Sequence, residues 1–339
     1  MSSPLVTIAV PVYNGARHLR ESLDSLLGQT YPRTEVIVLD DASKDDTPAI
    51  LASYGDRIRV VRNEKNLGGF GNMNAGVKLA AGELIAIYHA DDVYEPMIVE
   101  REVDYLRAHP TVGAVFCLDT FIDAESHEYG RLQLPPDVAR NDVLTYEDVL
   151  NALLRWKNRF LRAPGAMIRR STYDAVGLFR EQFGIASDLD MWLRIARYSG
   201  IGLLHEYLFR YRHFHGNWSQ QYQYLRTEPD AFFRVVDAWL ASGERAHAAP
   251  DALAAYEGQR AEEHLMNAVA YYIRGDLADA RRLARGVSPT AILSGGTISR
   301  GRILALWALI GAASRLPRIG ALSDAFHRRY YARTAPART

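Results

Sequence analysis

One cysteine in 339 residues, Cys117, leaves no intramolecular disulfide and no cysteine-rich zinc site to build. The chain therefore reads as a resident of reducing cytosol rather than a secreted, disulfide-stapled scaffold. Net charge is missing too: 40 basic residues meet 40 acidic ones. No overall positive field exists to bind a nucleic-acid backbone by counterion release, so nucleic acid is not expected as a partner. No stretch reaches the roughly 18–20 consecutive apolar residues that span a bilayer; the longest is 303–313. The opening MSSPLVTIAVPVYNG lacks a basic region and a small-residue cleavage site, and Pro11 interrupts its apolar run, which is the pattern of a strand rather than a signal peptide. Two nucleotide motifs are also absent. The turn Val12-Tyr13-Asn14-Gly15-Ala16 has a single glycine, Gly68-Gly69-Phe70-Gly71 continues into Asn72-Met73-Asn74 without a closing one, and no G-x-x-x-x-G-K-[ST] occurs. Dinucleotide dehydrogenases and P-loop NTPases are thereby disfavoured.

What is present alternates. Residues 6–12, 35–39, 58–61, 84–88 and 112–118 are short, apolar and bounded by turn residues, as buried strands are. Between them Leu19, Leu23, Leu26 and Leu27 form one apolar helical stripe, and Asp45, Asp46 and Thr47 offer caps to a helix with Pro48 in its first turn. Repeated strand–helix–strand units argue for an α/β fold with a mostly parallel sheet covered on both faces. Residues 119–140 read as loop, 145–160 as a helix with Thr145 and Asp148 at capping-box spacing, 166–168 as a strand, and 188–198 as a helix stopped by Gly200. From 223 the pattern is helical only, with a helix pair around Gly275-Asp276. The expected organisation is an α/β domain over 1–222, divided into halves 1–118 and 119–222, followed by a helical region over 223–339.

In such sheets ligands bind beyond the carboxyl ends of the strands. There the sequence sets Tyr13 and Asn14, then Asp40 and Asp41, then His89, Asp91 and Asp92. A tyrosine ring can stack on a base, a carboxylate can accept a pyrimidine N–H, and adjacent carboxylates suit a hard divalent cation that bridges to phosphates. Each pair taken alone is more often a helix cap or Asx turn. Together they describe a metal-dependent nucleotide-diphosphate site.

The ordered motifs resemble the family-2 glycosyltransferases of GT-A fold. They are Pro11-Val12-Tyr13-Asn14, Val38-Leu39-Asp40-Asp41-Ala42-Ser43, Asn66-Leu67-Gly68, Asn74-Ala75-Gly76, His89-Ala90-Asp91-Asp92, Arg169-Arg170-Ser171, Gly177-Leu178-Phe179 and Ser187-Asp188-Leu189-Asp190-Met191-Trp192-Leu193-Arg194, spread over residues 5–220. The resemblance implies that Pro11, Tyr13, Asn14, Asp41 and Asp91 bind the nucleotide of a sugar donor, and that Asp91 and Asp92 hold Mg²⁺ or Mn²⁺. It also implies that Asp188 is the general base of an inverting transfer. Asp190 is the rival base, since residues two apart on a helix face different ways. Two positions depart from the family pattern: His89 stands for the first acidic residue of D-x-D, and Ser187 for the glutamate of E-D. The segment Tyr211-Arg212-His213-Phe214-His215-Gly216-Asn217-Trp218-Ser219 is similar to the Y-R-x-H-x-x-x-S element of the family. That likeness implies a metal- or diphosphate-binding histidine, His215 or alternatively His213, with Arg212 on phosphate. Trp192 reads as core.

The tail 300–339 carries eight arginines and one aspartate, so the neutral whole is an acidic body with a basic end. The run 303–313, edged by Arg302 and Arg315, fits either a buried helix or an interfacial one on an anionic membrane. The second reading suits a cytoplasmic enzyme on the inner membrane face with a saccharide or lipid-linked saccharide acceptor. A sugar-phosphate nucleotidyltransferase would need a basic, glycine-rich loop after the first strand, where only Arg17 stands. A degenerate nucleotide-sugar-binding scaffold is the non-enzymatic alternative.

Overall fold

Apolar, β-branched segments that cannot bury both faces alone line up into one sheet, and the amphipathic stretches between them cover it. The computed structural model describes residues 3–213, 227–274 and 276–287, with Leu304, Trp307 and Ala308 beyond them. Chain contacts group the residues into two units, 1–217 and 218–339.

The first unit carries β1 (Val6–Val12), α1 (Leu19–Leu27), β2 (Thr34–Asp40), α2 (Thr47–Ala52), β3 (Arg59–Arg62), α3 (Gly69–Leu79), β4 (Leu84–Ile87) and β5 (Val93–Tyr94). It continues with α4 (Ile98–Ala108), β6 (Ala114–Ile122), β7 (Glu128–Arg131), β8 (Val143–Leu144), α5 (Tyr146–Trp156), β9 (Ala166–Arg169), α6 (Arg170–Val176), α7 (Ser187–Ser199) and β10 (Ile201–Arg212). Leu19, Leu23 and Leu26 are buried on α1 as their spacing predicts, and the Thr145–Asp148 capping box opens α5.

The sheet order is β3-β2-β1-β4-β9-β6-β10-β5, with β7 on β6 and β8 on β10. Strands β3, β2, β1 and β4 are parallel. Strand β9 runs antiparallel between β4 and β6, and β10 returns parallel to β6. The sheet is therefore parallel in its first half and mixed in its second. Strand direction depends on pairing partners, which residue pattern does not reveal. Two further expectations are corrected. Strand β3 is an edge strand whose Val60 is exposed, not a buried one. Residues 119–122 and 128–131 are strand rather than loop: Asp119 hid the continuation by putting a charge in a strand that proceeds through Thr120, Phe121 and Ile122.

This topology decides where a ligand can sit. The chain leaves β1 toward β2 on one side and reaches β4 on the other, so the switch point lies between β1 and β4. Because β6 and β10 are parallel to β4, their carboxyl ends share the edge of the loops after β1, β2 and β4, and the antiparallel β9 begins there. Gly76 brings α3 close enough that a Cβ would stand 3.0 Å from Ala9 Cβ.

Glu102 on α4 is fully buried and accepts the Tyr88 hydroxyl at 2.6 Å, with burial pushing its carboxyl up to about 8. Its ordinary value is 4.5, so between that pH and about 8 the folded chain holds a proton the unfolded chain has released. Stability contributed by the neutral acid is lost as pH rises through that window. From pH 5 to 9 the wild type should lose on the order of 3 kcal/mol more than Glu102→Gln. Urea unfolding across that range checks this, and equal slopes would remove Glu102 as the cause.

The second unit contains α8 (Ala231–Ala241), α9 (Pro250–Arg274) and α10 (Leu277–Gly286), helices as expected. Leu265, Ala268 and Ala284 pack together across α9 and α10, and Leu304 and Trp307 lie against them. Those two contacts match the buried-helix reading of 303–313; the rest of the basic tail lies outside the described residues. Among the described residues no helix is long and apolar enough to cross a membrane.

Candidate functional site

The loops after β1 and β2 are stitched to each other. The Asn14 amide donates to Ser43 Oγ at 2.9 Å and Asn14 Oδ1 accepts the Lys44 amide at 2.8 Å. The Gly15 and Ala16 amides donate to Thr47 Oγ1 and Asp45 Oδ2. Asn14, whose φ of 51° lies in the left-handed region that Asn tolerates, thus spends its side chain on holding the loop. The stitching leaves the Tyr13 ring 47% exposed at the edge of the sheet, beside the end of the half-buried Pro11 strand position.

Asp41 is buried and does more than wait for a ligand. Its Oδ1 accepts from Asn63 Nδ2 and the Leu67 amide, both at 2.8 Å, and its Oδ2 accepts the Gly68 amide at 3.0 Å. Each carboxylate oxygen has two lone pairs, so Oδ2 retains one for a further donor. Gly68, at φ +79°, turns the chain into α3 in a conformation a side chain would strain. Neighbouring Asp40 pairs instead with Arg62 at 2.7 Å.

After β4, His89, Asp91 and Asp92 converge so that one ligand atom of each lies within 4.8 Å of the others. Burial pushes both carboxyls above the ordinary range, Asp92 well above, where the Asp91 charge adds to burial. Burial also lowers His89, keeping its imidazole neutral, the form that ligates metals. Asp92 Oδ2 and His89 Nε2 are buried with no hydrogen-bond partner among the described residues, while the Arg212 amide holds Asp92 Oδ1 at 2.8 Å. Crowded carboxylates with an orphaned Asp92 Oδ2 4.0 Å from His89 Nδ1 are what a divalent cation satisfies. The residues present fit such an ion. The pattern departure at His89 does not impoverish the cluster, because the imidazole takes the place of the missing carboxylate. A histidine where D-x-D expects an acid was the signal in the sequence.

His213, just after β10, stands elsewhere. His213 is packed among the Phe121, Tyr129 and Tyr211 rings with its Nδ1 bonded to the Tyr129 hydroxyl, and it is not a member of the three-residue cluster. His215 lies outside the described residues. Arg212 is not free for phosphate either. Its side chain is buried, with NH2 on Glu21 Oε2 at 2.6 Å, Nε on the Asp91 carbonyl at 2.7 Å and NH1 on Ser126 Oγ at 2.8 Å.

At the start of α7 the two aspartates separate. Asp190 is buried, its Oδ2 2.9 Å from Arg194 Nε and its Oδ1 3.5 Å from Arg180. Arg194 in turn donates to the carbonyls of Val176 and Leu178. That clamp corrects the rival-base reading: Asp190 is consumed in holding the Gly177-Leu178-Phe179 segment to the helix. Asp188 remains partly exposed, accepts only the Leu189 amide among the hydrogen bonds described, and is pushed by burial to about 6, against the pull of Arg162. Ser187, in place of the family glutamate, is buried with its hydroxyl 2.7 Å from the Arg180 and Gly184 carbonyls, fixing the loop that presents Asp188. Trp192 is core, edge-on to Phe116.

Several participants were not singled out from the sequence: Asn63 behind Asp41, Asp119 on β6, and Arg162 before β9. Asp119 acts electrostatically on Asp92, and Arg162 on Asp188, so the cation cluster and the candidate base lie within reach of one pair. No local motif marks residues whose partner is so distant in the chain.

The chain is 34% identical over 212 residues to an uncharacterized glycosyltransferase of Rickettsia prowazekii, covering 62% of this chain and 64% of that protein's length. In fold it is similar to Staphylococcus aureus TarS 1–349, solved with UDP-GlcNAc, at a TM-score of 0.60 and 16% identity over 96% of this chain and 92% of that one. It is also similar to the mannosyltransferase PcManGT of Pyrobaculum calidifontis, solved with GDP-Man and Mn²⁺, at 0.52 and 21% over 98% and 84%. These likenesses establish the GT-A fold. The sequence model of glycosyl transferase family 2 matches residues 7–177, half of the chain, from β1 through Asp91 and Asp92 to the end of α6, and the chain belongs to that family.

Proposed function

We propose that the chain is an inverting, metal-dependent glycosyltransferase moving a sugar from a nucleoside diphosphate donor to an acceptor hydroxyl. UDP or dTDP is the favoured nucleotide. The acceptor is a saccharide or lipid-linked saccharide of a surface polysaccharide, lipopolysaccharide or other glycoconjugate, met on the cytoplasmic side. One observation carries the reading: the orphaned ligand atoms of His89 and Asp92 lie at the strand switch point, while Asp188 alone of the two α7 aspartates keeps a carboxylate unspent. The first arrangement suits a diphosphate neutralised by a cation, the second a proton acceptor, and inverting transfer needs both.

In this scheme the Tyr13 face stacks on the base and Asp41 Oδ2 accepts its ring N–H. Asp188 takes the acceptor's proton as that oxygen bonds to the anomeric carbon from the side opposite the leaving group. The bond from that carbon to the diphosphate breaks, its electron pair departing on the phosphate oxygen, and configuration inverts. A divalent cation bound by Asp91, Asp92 and His89 would supply neutralisation of the charge on the leaving diphosphate.

Titration of UDP with and without Mn²⁺, followed by a donor-hydrolysis assay, tests the proposal. Metal-dependent UDP binding with slow hydrolysis is expected, and Asp92→Ala should remove the metal-dependent part. Binding without any turnover on any donor would leave the scaffold reading standing. Imidazole suits transition metals better than Mg²⁺, so UDP should bind more tightly with Mn²⁺ than with Mg²⁺. His89→Asp should narrow that gap in the same titration.

A further inference from the structure

Asp119 is fully buried, yet neither of its carboxylate oxygens has a hydrogen-bond partner among the described residues. The nearest cation, Arg162, holds its Nε 3.7 Å away, beyond hydrogen-bond distance, and that nitrogen is likewise buried and unpartnered. The guanidinium is steadied over two ring faces, Tyr211 at 5.0 Å and Phe121 at 5.7 Å. Buried polar groups are almost always bonded, and a charged pair left open inside a protein is costly unless something completes it.

The chemistry of the gap limits what that is. An anion is repelled by Asp119, a cation by Arg162, and an apolar group would leave both unsolvated. A neutral hydroxyl fits both, since its O–H donates to the carboxylate while its oxygen accepts from the guanidinium. The location is equally restrictive. Asp119 lies at the carboxyl half of β6 beside Phe209 of β10 and acts on Asp92, and Arg162 acts on Asp188, so the pair neighbours both the cation cluster and the candidate base. In the reaction proposed above, the group lying between diphosphate and acceptor is the transferred sugar.

We propose that Asp119 and Arg162 form a sugar-reading subsite that binds hydroxyls of the donor's glycosyl group and sets which sugar is accepted. The assignment rests on the glycosyltransferase reading. The pair makes bonds that depend on hydroxyl position, so donors differing at one carbon are told apart by whether they complete it.

The test uses the full chain and calorimetric titration with Mn²⁺. UDP, dTDP and GDP are titrated first, then the sugar nucleotides of whichever base binds, including glucose and galactose epimers and an N-acetylhexosamine. In Asp119→Asn and Arg162→Gln, affinity for the bare nucleotide is expected to stay within about twofold. The extra affinity from the sugar should fall about 10- to 100-fold, as for loss of a charged hydrogen bond, and preference among sugars should flatten. Asp119→Asn removes a buried charge that no hydrogen bond satisfies and Arg162 is 27% exposed outside the strands, so thermal unfolding of both should stay near wild type. Variants with wild-type sugar affinity and preference would overturn the subsite while leaving the family chemistry intact. A wild type that binds no nucleoside diphosphate would overturn both readings.

Discussion

Asp188→Asn is expected to lower sugar transfer by about 10²- to 10⁴-fold, the range removed with a general base, while leaving UDP affinity and thermal stability nearly unchanged. The asparagine is the same size and its carbonyl oxygen can still accept the Leu189 amide that Asp188 accepts at 2.7 Å. Only proton acceptance is lost. Asp190→Asn should behave in the opposite way. It breaks a buried pair with Arg194, leaving a guanidinium that anchors the Val176 and Leu178 carbonyls without its counter-charge, so stability should fall by about 3–5 kcal/mol. Loss of turnover there would follow loss of fold. Denaturation curves beside single-turnover rates separate the two aspartates. A stable Asp188→Asn enzyme with near wild-type turnover would sink its role as base.

The same residue sets the sign of the pH response. Asp188 accepts a proton only when ionised, and burial places its titration near 6. Catalytic efficiency should therefore rise as pH climbs through about 6 and level off above it, and the variant's residual rate should lack that limb.

How much of this could be read beforehand varies residue by residue. The strand–helix alternation, the Thr145–Asp148 box and the Gly200 stop follow from short-range chemistry, and the structure has them. Family motifs were harder to interpret because they mix chemistry with architecture. Asn74 looks polar enough for a ligand, but its side chain exchanges two hydrogen bonds with the Phe179 backbone. Arg169 and Arg170 of the Arg169-Arg170-Ser171 motif both donate to loop carbonyls, the first to Val112 and the second to Ala80 and Gly82. Asn14 is similarly spent on its neighbouring loop. Sequence pattern records that such residues are needed without saying whether a substrate or a carbonyl needs them. Asp119 and Arg162 were invisible for a different reason. Each acquires meaning only from the other, and β9 brings them together by running against its neighbours, a choice made by tertiary pairing.

Arg212 illustrates the same point with an expected effect on stability as large as that of Asp190→Asn. Its position in a Y-R-x-H element invites a phosphate-binding role, whereas the structure buries it as the tie between α1, the loop after β4 and the β6–β7 turn. The guanidinium reaches Glu21 on α1, the Asp91 carbonyl after β4, and the Asp123 and Ala124 carbonyls and Ser126 hydroxyl in the β6–β7 turn. Arg212→Met keeps the volume and the backbone N–H to Asp92 but strips these acceptors of their donor. Unfolding free energy should drop by about 3–5 kcal/mol, as when one partner is removed from a buried charged network. Arg212→Lys should recover little, since a point ammonium cannot reach acceptors spread around a planar fork. Glu21→Ala should cost about 1 kcal/mol or less, its side chain being 44% exposed. Below its melting point the methionine variant should also lose metal-dependent UDP binding, because the Asp91 backbone is no longer held beside Asp92. If Arg212 instead served a phosphate at the surface, the variant would unfold like wild type and lose affinity for UDP with and without metal alike. Chemical denaturation with paired titrations tells these outcomes apart.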